Sequence, residues 1–269
     1  MKLEAYLHTA TKTLEQAGIG TARLDCLVLL EDVLNTNRTH LISTPELEIT
    51  EVDKATLDAL IEKRARHTPL AYLRGKTEFY GREFIVSAAV LEPRPESETM
   101  IDIFKTLSLP PAAKLADIGC GSGALGITAK LESRRTSVTL LDIDPAALSI
   151  SQRNAKLHRV SVQFKQADLL ERNNEYFDVL LCNLPYVPDN FQLNLAALHE
   201  PRVAIFGGPD GLNLYRRLFT QLGNNTAKPQ YVLTESMPPQ HQELCDIASQ
   251  FGFKQQLEDD FVQLFVPEL

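Results

Sequence analysis

The chain has 269 residues, a length that fits one catalytic domain and a smaller one. Its composition, with 44% hydrophobic and 23% charged residues, is typical of a globular protein. Its 27 Lys and Arg residues against 35 Asp and Glu residues give a net charge of −8. An acidic surface gains little from counterion release at a phosphate backbone, so the charge disfavours duplex nucleic acid as a partner. A protein or a small molecule fits the charge better.

The cysteines and the first residues of the chain indicate the cellular compartment in which the protein is expected. No Cys-x-x-Cys pair occurs, so the cysteines predict neither a zinc site nor a disulfide framework and favour a reducing compartment. The sequence begins Met1-Lys2-Leu3-Glu4 without the apolar run of a signal peptide, and no stretch approaches a membrane span. We therefore expect a cytoplasmic protein with no metal and no membrane partner. The four cysteines are Cys26, Cys120, Cys182 and Cys245.

The first part of the chain carries apolar side chains at helical spacing. One such stripe runs from Leu3 to Leu14. Thr50, followed three residues later by Asp53, resembles a capping box that opens a further helix. This segment has apolar stripes of its own and no cofactor motif. We therefore predict that residues 1–75 form a small helical bundle that recognises the substrate.

Residues 76–93 change from helical to strand character. Aromatic and β-branched residues between Phe79 and Leu91, interrupted by Gly81, predict a pair of strands. We interpret this segment as a β-hairpin linker. Pro93-Arg94-Pro95 then makes a stiff connection into the next domain.

Residues 94–269 form the predicted catalytic domain, in which strands and helices alternate from Lys114 onward. Such alternation predicts a mostly parallel, doubly wound α/β sheet. The last two strands are only a few residues apart around Asp259, too close for a crossover helix, so they should form an antiparallel hairpin. A seven-stranded sheet of this kind resembles the class I S-adenosylmethionine-dependent methyltransferase fold. The predicted strands are 114–118, 138–142, 162–165, 177–182, 230–234, 253–257 and 261–266.

A glycine-rich turn follows the first strand of this domain. Glycines permit a tight turn and a close approach of the backbone to a ligand, and the next helix presents its free N–H groups there. Gly119 and Gly121 with Ala124 also satisfy the dinucleotide fingerprint, so a nicotinamide oxidoreductase is one alternative. The predicted cofactor residues at this turn are Asp117, Gly119, Cys120, Gly121, Ser122 and Gly123.

Acidic residues at strand ends indicate which cofactor binds. Asp117 precedes the turn, where it would repel a pyrophosphate but attract the cationic amino group of a methionine moiety. Asp142 ends the next strand and is placed to bind both ribose hydroxyls. After the third strand, we expect the Asp168 carboxylate to accept from the exocyclic amine of adenine and Leu169 to pack on its ring. These features favour S-adenosylmethionine over NAD as the cofactor.

Asn183-Leu184-Pro185-Tyr186 follows the fourth strand and resembles the (Asn/Asp)-Pro-Pro-(Tyr/Phe) motif of amino-methyltransferases. An amide nitrogen is a poor nucleophile because its lone pair is delocalised. The Asn183 side chain and the Leu184 carbonyl would accept hydrogen bonds from this nitrogen and orient its lone pair, while the Tyr186 ring packs on the planar amide. Leu184 replaces the usual proline, but its carbonyl survives and Pro185 biases it toward an extended conformation. These four residues are the predicted catalytic set, and Asn183 also counts toward the cofactor site.

Six further segments extend the comparison: Arg23-Leu24-Asp25, Pro69-Leu70-Ala71-Tyr72-Leu73, Glu78-Phe79-Tyr80, Glu92-Pro93-Arg94-Pro95-Glu96-Ser97-Glu98, Glu200-Pro201-Arg202 and Gly207-Gly208-Pro209-Asp210-Gly211-Leu212. With the motifs above they resemble the protein-(glutamine-N5) methyltransferases of peptide-chain release factors, the HemK/PrmC family, over nearly the whole chain. The family implies a release factor as protein substrate, methylated on the Gln of its Gly-Gly-Gln loop. The resemblance also implies that Pro185 and Tyr186 wall the substrate amide.

Two alternative functions would use the same residues. The Asn-x-Pro-Tyr chemistry suits any planar nitrogen, so the chain could be a nucleic-acid methyltransferase acting on an adenine or guanine amino group. The acidic charge and the lack of a basic, aromatic-studded segment count against this. The other alternative is a non-catalytic S-adenosylmethionine-binding module. Its support is Leu184 and two departures from the family pattern, at Leu233–Met237 and Asp259–Val262.

Overall fold

The structure is a computed structural model that describes residues 1–171, 175–224 and 227–268. In these ranges no helix combines the length and the apolar character needed to cross a membrane. The chain divides into two compact units, one comprising Met1–Gly75 with Asn194–His199 and the other Lys76–Leu193 with Glu200–Leu269.

The first unit is built from helices: α1 (Leu3–Gln16), α2 (Ala22–Val33), α3 (Arg38–Ser43), α4 (Glu51–Ala65) and α5 (Leu70–Arg74). Its core takes Leu14 from α1, Leu30 from α2 and Leu57 from α4, all fully buried. The Thr50 hydroxyl accepts a hydrogen bond of 3.1 Å from the Asp53 N–H, so the predicted cap opens α4. Apolar stripes at helical spacing thus become one shared core.

The second unit begins with a hairpin of β1 (Lys76–Phe79) and β2 (Arg82–Ile85), paired antiparallel. Its two-residue turn, Tyr80-Gly81, has φ angles of 52° and 66°, the positive values that match the twist of paired strands. The prediction of strand structure beyond Ile85 is wrong, because residues 86–94 are irregular. Val90 is apolar there because it is buried in a turn-containing segment, and not because it pairs in a strand.

The strands of the main sheet are β3 (Lys114–Ile118), β4 (Ser137–Asp142), β5 (Gln163–Gln166), β6 (Val179–Cys182), β7 (Tyr231–Glu235), β8 (Phe253–Asp259) and β9 (Val262–Pro267). Within the described residues they form a seven-stranded sheet in the order β5-β4-β3-β6-β7-β9-β8. The strands β3 to β7 pair in parallel, whereas β9 lies antiparallel to both of its neighbours. The predicted doubly wound sheet with a terminal antiparallel hairpin is confirmed.

Helices cover both faces of this sheet: α6 (Glu98–Thr106), α7 (Ala124–Glu132), α8 (Pro145–Leu157), α9 (Asn213–Gly223) and α10 (His241–Ser249). Alternate strand residues face opposite cores, so Leu181 packs with α6, α7 and α8 while Leu180 packs with α9 and α10. Burial on both faces explains why β6 is apolar throughout. The carboxyl ends of β3 to β7 consequently share one edge, where ligands bind in such sheets.

Asn154, on α8, ties the hairpin to the glycine turn. Its Oδ1 accepts from the Ile85 N–H at 2.7 Å, and its Nδ2 donates to the carbonyls of Ile85 and Ser122, each at 2.9 Å. The side chain is fully buried. A buried amide with its partners satisfied is expensive to remove, since those partners lose their hydrogen bonds away from water.

We therefore expect Asn154→Ala to lower the free energy of unfolding by about 2–4 kcal/mol. For a chain of this size the melting temperature should fall by about 4–15 °C, measured by thermal denaturation. Gln152→Ala, on the exposed side of the same helix, serves as the matched control and should change it little. An Asn154→Ala variant that melts with its parent would contradict this role.

Candidate active site

A cleft of about 290 Å³ opens at the carboxyl ends of β3, β4, β5 and β6. Its size is near the lower end of the range for small-molecule sites. Two predicted residues, Gly123 and Tyr186, lie outside the described lining of this cleft. Eleven predicted residues line it together: Asp117, Gly119, Cys120, Gly121, Ser122, Asp142, Asp168, Leu169, Asn183, Leu184 and Pro185.

The glycine turn is held against the end of β4 by backbone hydrogen bonds. The N–H groups of Gly119 and Cys120 both donate to the Leu141 carbonyl, at 2.8 and 2.9 Å. The next glycine, Gly121, donates its N–H to Asp142 Oδ2 at 2.9 Å. These contacts fix the position of the turn relative to the acid that follows β4.

Two of the glycines are required for different reasons. Gly121 has a φ of 53°, a left-handed conformation that glycine adopts without strain. Gly123 also has positive φ, and a Cβ atom there would lie 3.0 Å from side-chain atoms of Ile127 and Ser151. Gly123 therefore serves the packing of the turn against α7 and α8, which accounts for its place outside the cleft lining.

Asp142 is oriented by two backbone donors. Its Oδ2 accepts from Gly121, and its Oδ1 accepts from the Asp144 N–H at 2.9 Å. Burial raises the pKa of this carboxyl, and the two hydrogen bonds oppose that rise. Each carboxylate oxygen retains lone-pair capacity for a further donor, as two neighbouring hydroxyls would require.

Ile143 lines the cleft directly after Asp142, and the sequence analysis missed it. Its side chain is 53% exposed although it is large and apolar. An exposed apolar side chain in a cleft wall offers a flat ligand group a surface to pack on. Its position next to the predicted ribose acid was the signal that could have identified it.

Asp117 is a buried acid on the cleft wall. It is 1% exposed, and its Oδ2 accepts from the Gly126 N–H at 2.8 Å. Burial raises the pKa of this carboxyl from 3.8 to about 7, and the nearby charge of Asp142 adds to the rise. A cationic ligand group beside Asp117 would favour the ionised form, so the position suits an ammonium group.

Asp168 lines the cleft but already has a cationic partner. Arg217, from α9, places its Nη2 2.6 Å from Asp168 Oδ2, and both residues line the cleft. The sequence analysis did not identify Arg217. Its guanidinium therefore competes for the carboxylate that was predicted to bind the adenine amine.

Asn183 and Leu184 form the corner after β6. The Asn183 Nδ2 donates to Ser97 Oγ at 2.9 Å, and the Leu184 N–H lies 3.4 Å from the Tyr215 hydroxyl. Leu184 itself is buried, with 2% exposed, and its side chain packs close to Gly119. The residue that replaces the usual proline therefore packs against the glycine turn.

Tyr186 is held next to the cleft by polar contacts at both ends of the residue. Its hydroxyl donates to Glu235 Oε1 at 3.1 Å, and its carbonyl accepts from Gln240 Nε2 at 2.8 Å. Burial raises the pKa of the Tyr186 hydroxyl, and the Glu235 charge raises it further. Tyr186 therefore remains a hydrogen-bond donor. Neither Ser97 nor Glu235 was selected by the sequence analysis.

Within the part of the chain that the structure describes, no group of His, Cys, Asp and Glu side chains could hold a metal ion.

Two solved methyltransferase structures have a similar fold. The chain is similar to a methyltransferase from Pyrococcus furiosus with a TM-score of 0.54 and 13% identity, covering 82% of this chain and 100% of that one. It is also similar to the ribosomal protein L11 methylase from Lactobacillus delbrueckii subsp. bulgaricus, with a TM-score of 0.51 and 15% identity, covering 65% of this chain and 81% of that one. The fold is that of the class I methyltransferases.

Sequence relatives narrow the class to a family. Residues 5–75 match the PrmC N-terminal domain, and residues 96–200 match the methyltransferase small domain. A release factor glutamine methyltransferase from Koribacter versatilis is 37% identical, over 87% of this chain and 86% of its own length. Its counterpart from Bacillus cereus is 35% identical, over 77% of each chain. The chain belongs to the release factor glutamine methyltransferase family.

The buried Asp117 predicts how stability depends on pH. Because the folded protein binds this proton more tightly than the unfolded chain, stability falls as the pH rises from the ordinary pKa of 3.8 to about 7. Asp117→Asn removes the titration and keeps an acceptor for Gly126. Between pH 5 and pH 8 the ligand-free parent should lose about 1–3 kcal/mol of unfolding free energy relative to this variant. Denaturant titrations at both pH values measure it, and a difference independent of pH would refute the assignment.

Proposed function

We propose that the protein transfers the methyl group of S-adenosylmethionine to the side-chain amide nitrogen of the Gln in the Gly-Gly-Gln loop of peptide-chain release factors. The observation that carries this proposal is the corner after β6. There the Asn183 NH₂ group donates a hydrogen bond to Ser97, so the side-chain oxygen of Asn183 is the acceptor available to the cleft. The names of the curated relatives support the same substrate.

The cleft residues fit the proposed cofactor. The buried carboxyl of Asp117 takes the cationic amino group, whose charge favours ionisation of an acid with a pKa of about 7. Asp142 takes the ribose hydroxyls with the lone pairs that its backbone donors leave free. Ile143 and Leu169 provide apolar surface for the adenine. When bound, S-adenosylmethionine supplies an electrophilic methyl group.

The chain's own residues activate the substrate amide by position. The Asn183 oxygen and the Leu184 carbonyl accept hydrogen bonds from the two amide N–H groups, which orients the nitrogen lone pair toward the methyl group. As the nitrogen–methyl bond forms and the methyl–sulfur bond breaks, positive charge would pass to the nitrogen, and the two acceptors would stabilise the hydrogens that carry it. One of these protons would then leave to solvent, which gives the neutral N-methyl amide. Pro185 and Tyr186 confine the planar amide.

The helical unit supplies recognition of the protein substrate. Residues 1–75 fold around their own core, and this segment matches the PrmC N-terminal domain. The net charge of −8 suits a basic protein surface better than a phosphate backbone. We assign substrate binding to this unit and methyl transfer to the cleft of the second unit.

A labelling experiment distinguishes this function from the two alternatives, a nucleic-acid methyltransferase and a non-catalytic S-adenosylmethionine-binding module. The protein is incubated with methyl-labelled S-adenosylmethionine and, separately, a release factor, the same factor with its loop Gln replaced by Ala, DNA and RNA. Label should appear only in the unaltered factor, on the loop Gln by peptide mass spectrometry. Label in DNA or RNA would favour the nucleic-acid alternative. Cofactor binding without transfer to any acceptor would favour the non-catalytic one.

Loss of the Asn183 acceptor should impair chemistry far more than cofactor binding. By comparison with oxyanion-hole donors, we expect Asn183→Ala to lower turnover about 100- to 1,000-fold. Titration calorimetry should give an affinity for S-adenosylmethionine close to that of the parent, and thermal melting should show a folded protein. Single-turnover transfer at the parent rate would be fatal to the assigned role.

A further inference from the structure

The Asn183 side chain has two orientations that exchange its oxygen and its NH₂ group. Only one of them presents an acceptor to a substrate amide in the cleft. In this structure the NH₂ group donates to Ser97 Oγ at 2.9 Å, which selects that orientation. Ser97 is 2% exposed, so bulk water does not compete for this contact.

Glu235 lies behind this pair at the end of β7. It is 1% exposed, and Tyr186 donates to its Oε1 at 3.1 Å. Burial raises the pKa of Glu235, and the nearby Ser97, Tyr186 and Asn183 side chains oppose the rise. Its Oε2 is buried without a hydrogen-bond partner among the described residues, so the carboxyl keeps an acceptor for the Ser97 proton.

A count of donors determines how the three groups connect. The Ser97 hydroxyl has one proton, and a carboxylate can only accept. If the proton of Ser97 goes to Glu235, its oxygen can only accept from Asn183. We infer that Ser97 and Glu235 are positioning residues that hold the Asn183 amide with its oxygen toward the substrate. The inference rests on the proposed function, which gives that oxygen its role.

The opposite orientation of Asn183 is penalised at both of its ends. When Ser97 donates its proton to Glu235, that orientation would set the Asn183 oxygen against the lone pairs of Ser97. It would also point an NH₂ group at the NH₂ group of the substrate. Unpaired buried polar groups are costly, so the chain of hydrogen bonds keeps the productive orientation populated. The same carboxyl anchors Tyr186, which links both walls of the amide site to one residue.

Single-turnover methylation of a release factor tests the inference. Ser97→Ala should lower the single-turnover rate of transfer about 10-fold or more. In steady-state kinetics its KM for S-adenosylmethionine should be unchanged. Ser97→Thr keeps the hydroxyl and should restore most of the rate. The matched control is Ser133→Ala, which removes a half-buried hydroxyl bonded to Thr136 away from the cleft and should behave like the parent.

Two further variants separate positioning from a general structural role. Glu235→Gln keeps the shape but adds a donor facing Ser97, so it should also slow transfer, and it serves if Ser97→Ala fails to fold. In an Asn183→Ala background, Ser97→Ala should cause no additional loss, because Ser97 acts through Asn183. An additional loss of the same size as in the parent would overturn the inference. So would an unimpaired Ser97→Ala enzyme.

Failure of the inference and failure of the proposed function have different signatures. If the parent protein does not methylate the release factor, the proposed function is wrong. If the parent does so and folded Ser97→Ala and Glu235→Gln proteins match it, only the positioning role is wrong.

Discussion

The hydrogen bonds between the glycine turn and the end of β4 are the constraint on which the proposed cofactor-binding part of the cleft depends. Gly119 and Cys120 donate to Leu141, while Gly121 donates to the carboxylate of Asp142. One short segment thereby sets the path of the turn and the orientation of the acid. The parallel pairing of β3 with β4 brings the two together, because both strands end at the same edge.

The part of the cleft that we propose holds the substrate amide is built on a second set of contacts. Asn183 follows β6, the neighbour of β3 on its other side, so the sheet order brings the Asn183 corner next to the glycine turn. Ser97 and Glu235 approach the same corner from the segment before α6 and from the end of β7. The residues identified by the family resemblance and the residues that the sheet order brings together thus lie at the same edge, the carboxyl ends of the parallel strands.

Local patterns were sufficient to predict the fold. Alternating strands and helices specified the parallel sheet, and the short connection at Asp259 specified the terminal hairpin. The apolar run after Ile85 was misassigned because burial alone gives the same composition as strand pairing. No strand end of the main sheet lies more than two residues from its predicted position, and the small differences arise because pairing, and not composition, ends a strand.

The residues that line the cleft were predictable where they belong to a continuous motif or follow a predicted strand end, as Asp142 and Asp168 do. The glycine turn and the Asn183 motif are continuous, and their spacing carries their chemistry. Ser97 is 86 residues from Asn183, and Glu235 is 49 residues from Tyr186, so only the folded sheet brings these pairs into contact. The pairing of Asp168 with Arg217 depends on α9 in the same way.

A crystal structure of the protein with S-adenosylhomocysteine and a peptide bearing the Gly-Gly-Gln loop would show how the Gln amide is held. We expect its nitrogen to lie within hydrogen-bonding distance of the Asn183 oxygen and the Leu184 carbonyl, and the Asn183 NH₂ group to stay on Ser97. A Gln amide bound elsewhere in the cleft, or one that contacts the NH₂ group of Asn183 in place of its oxygen, would show that Asn183 and Leu184 do not hold the substrate in this way.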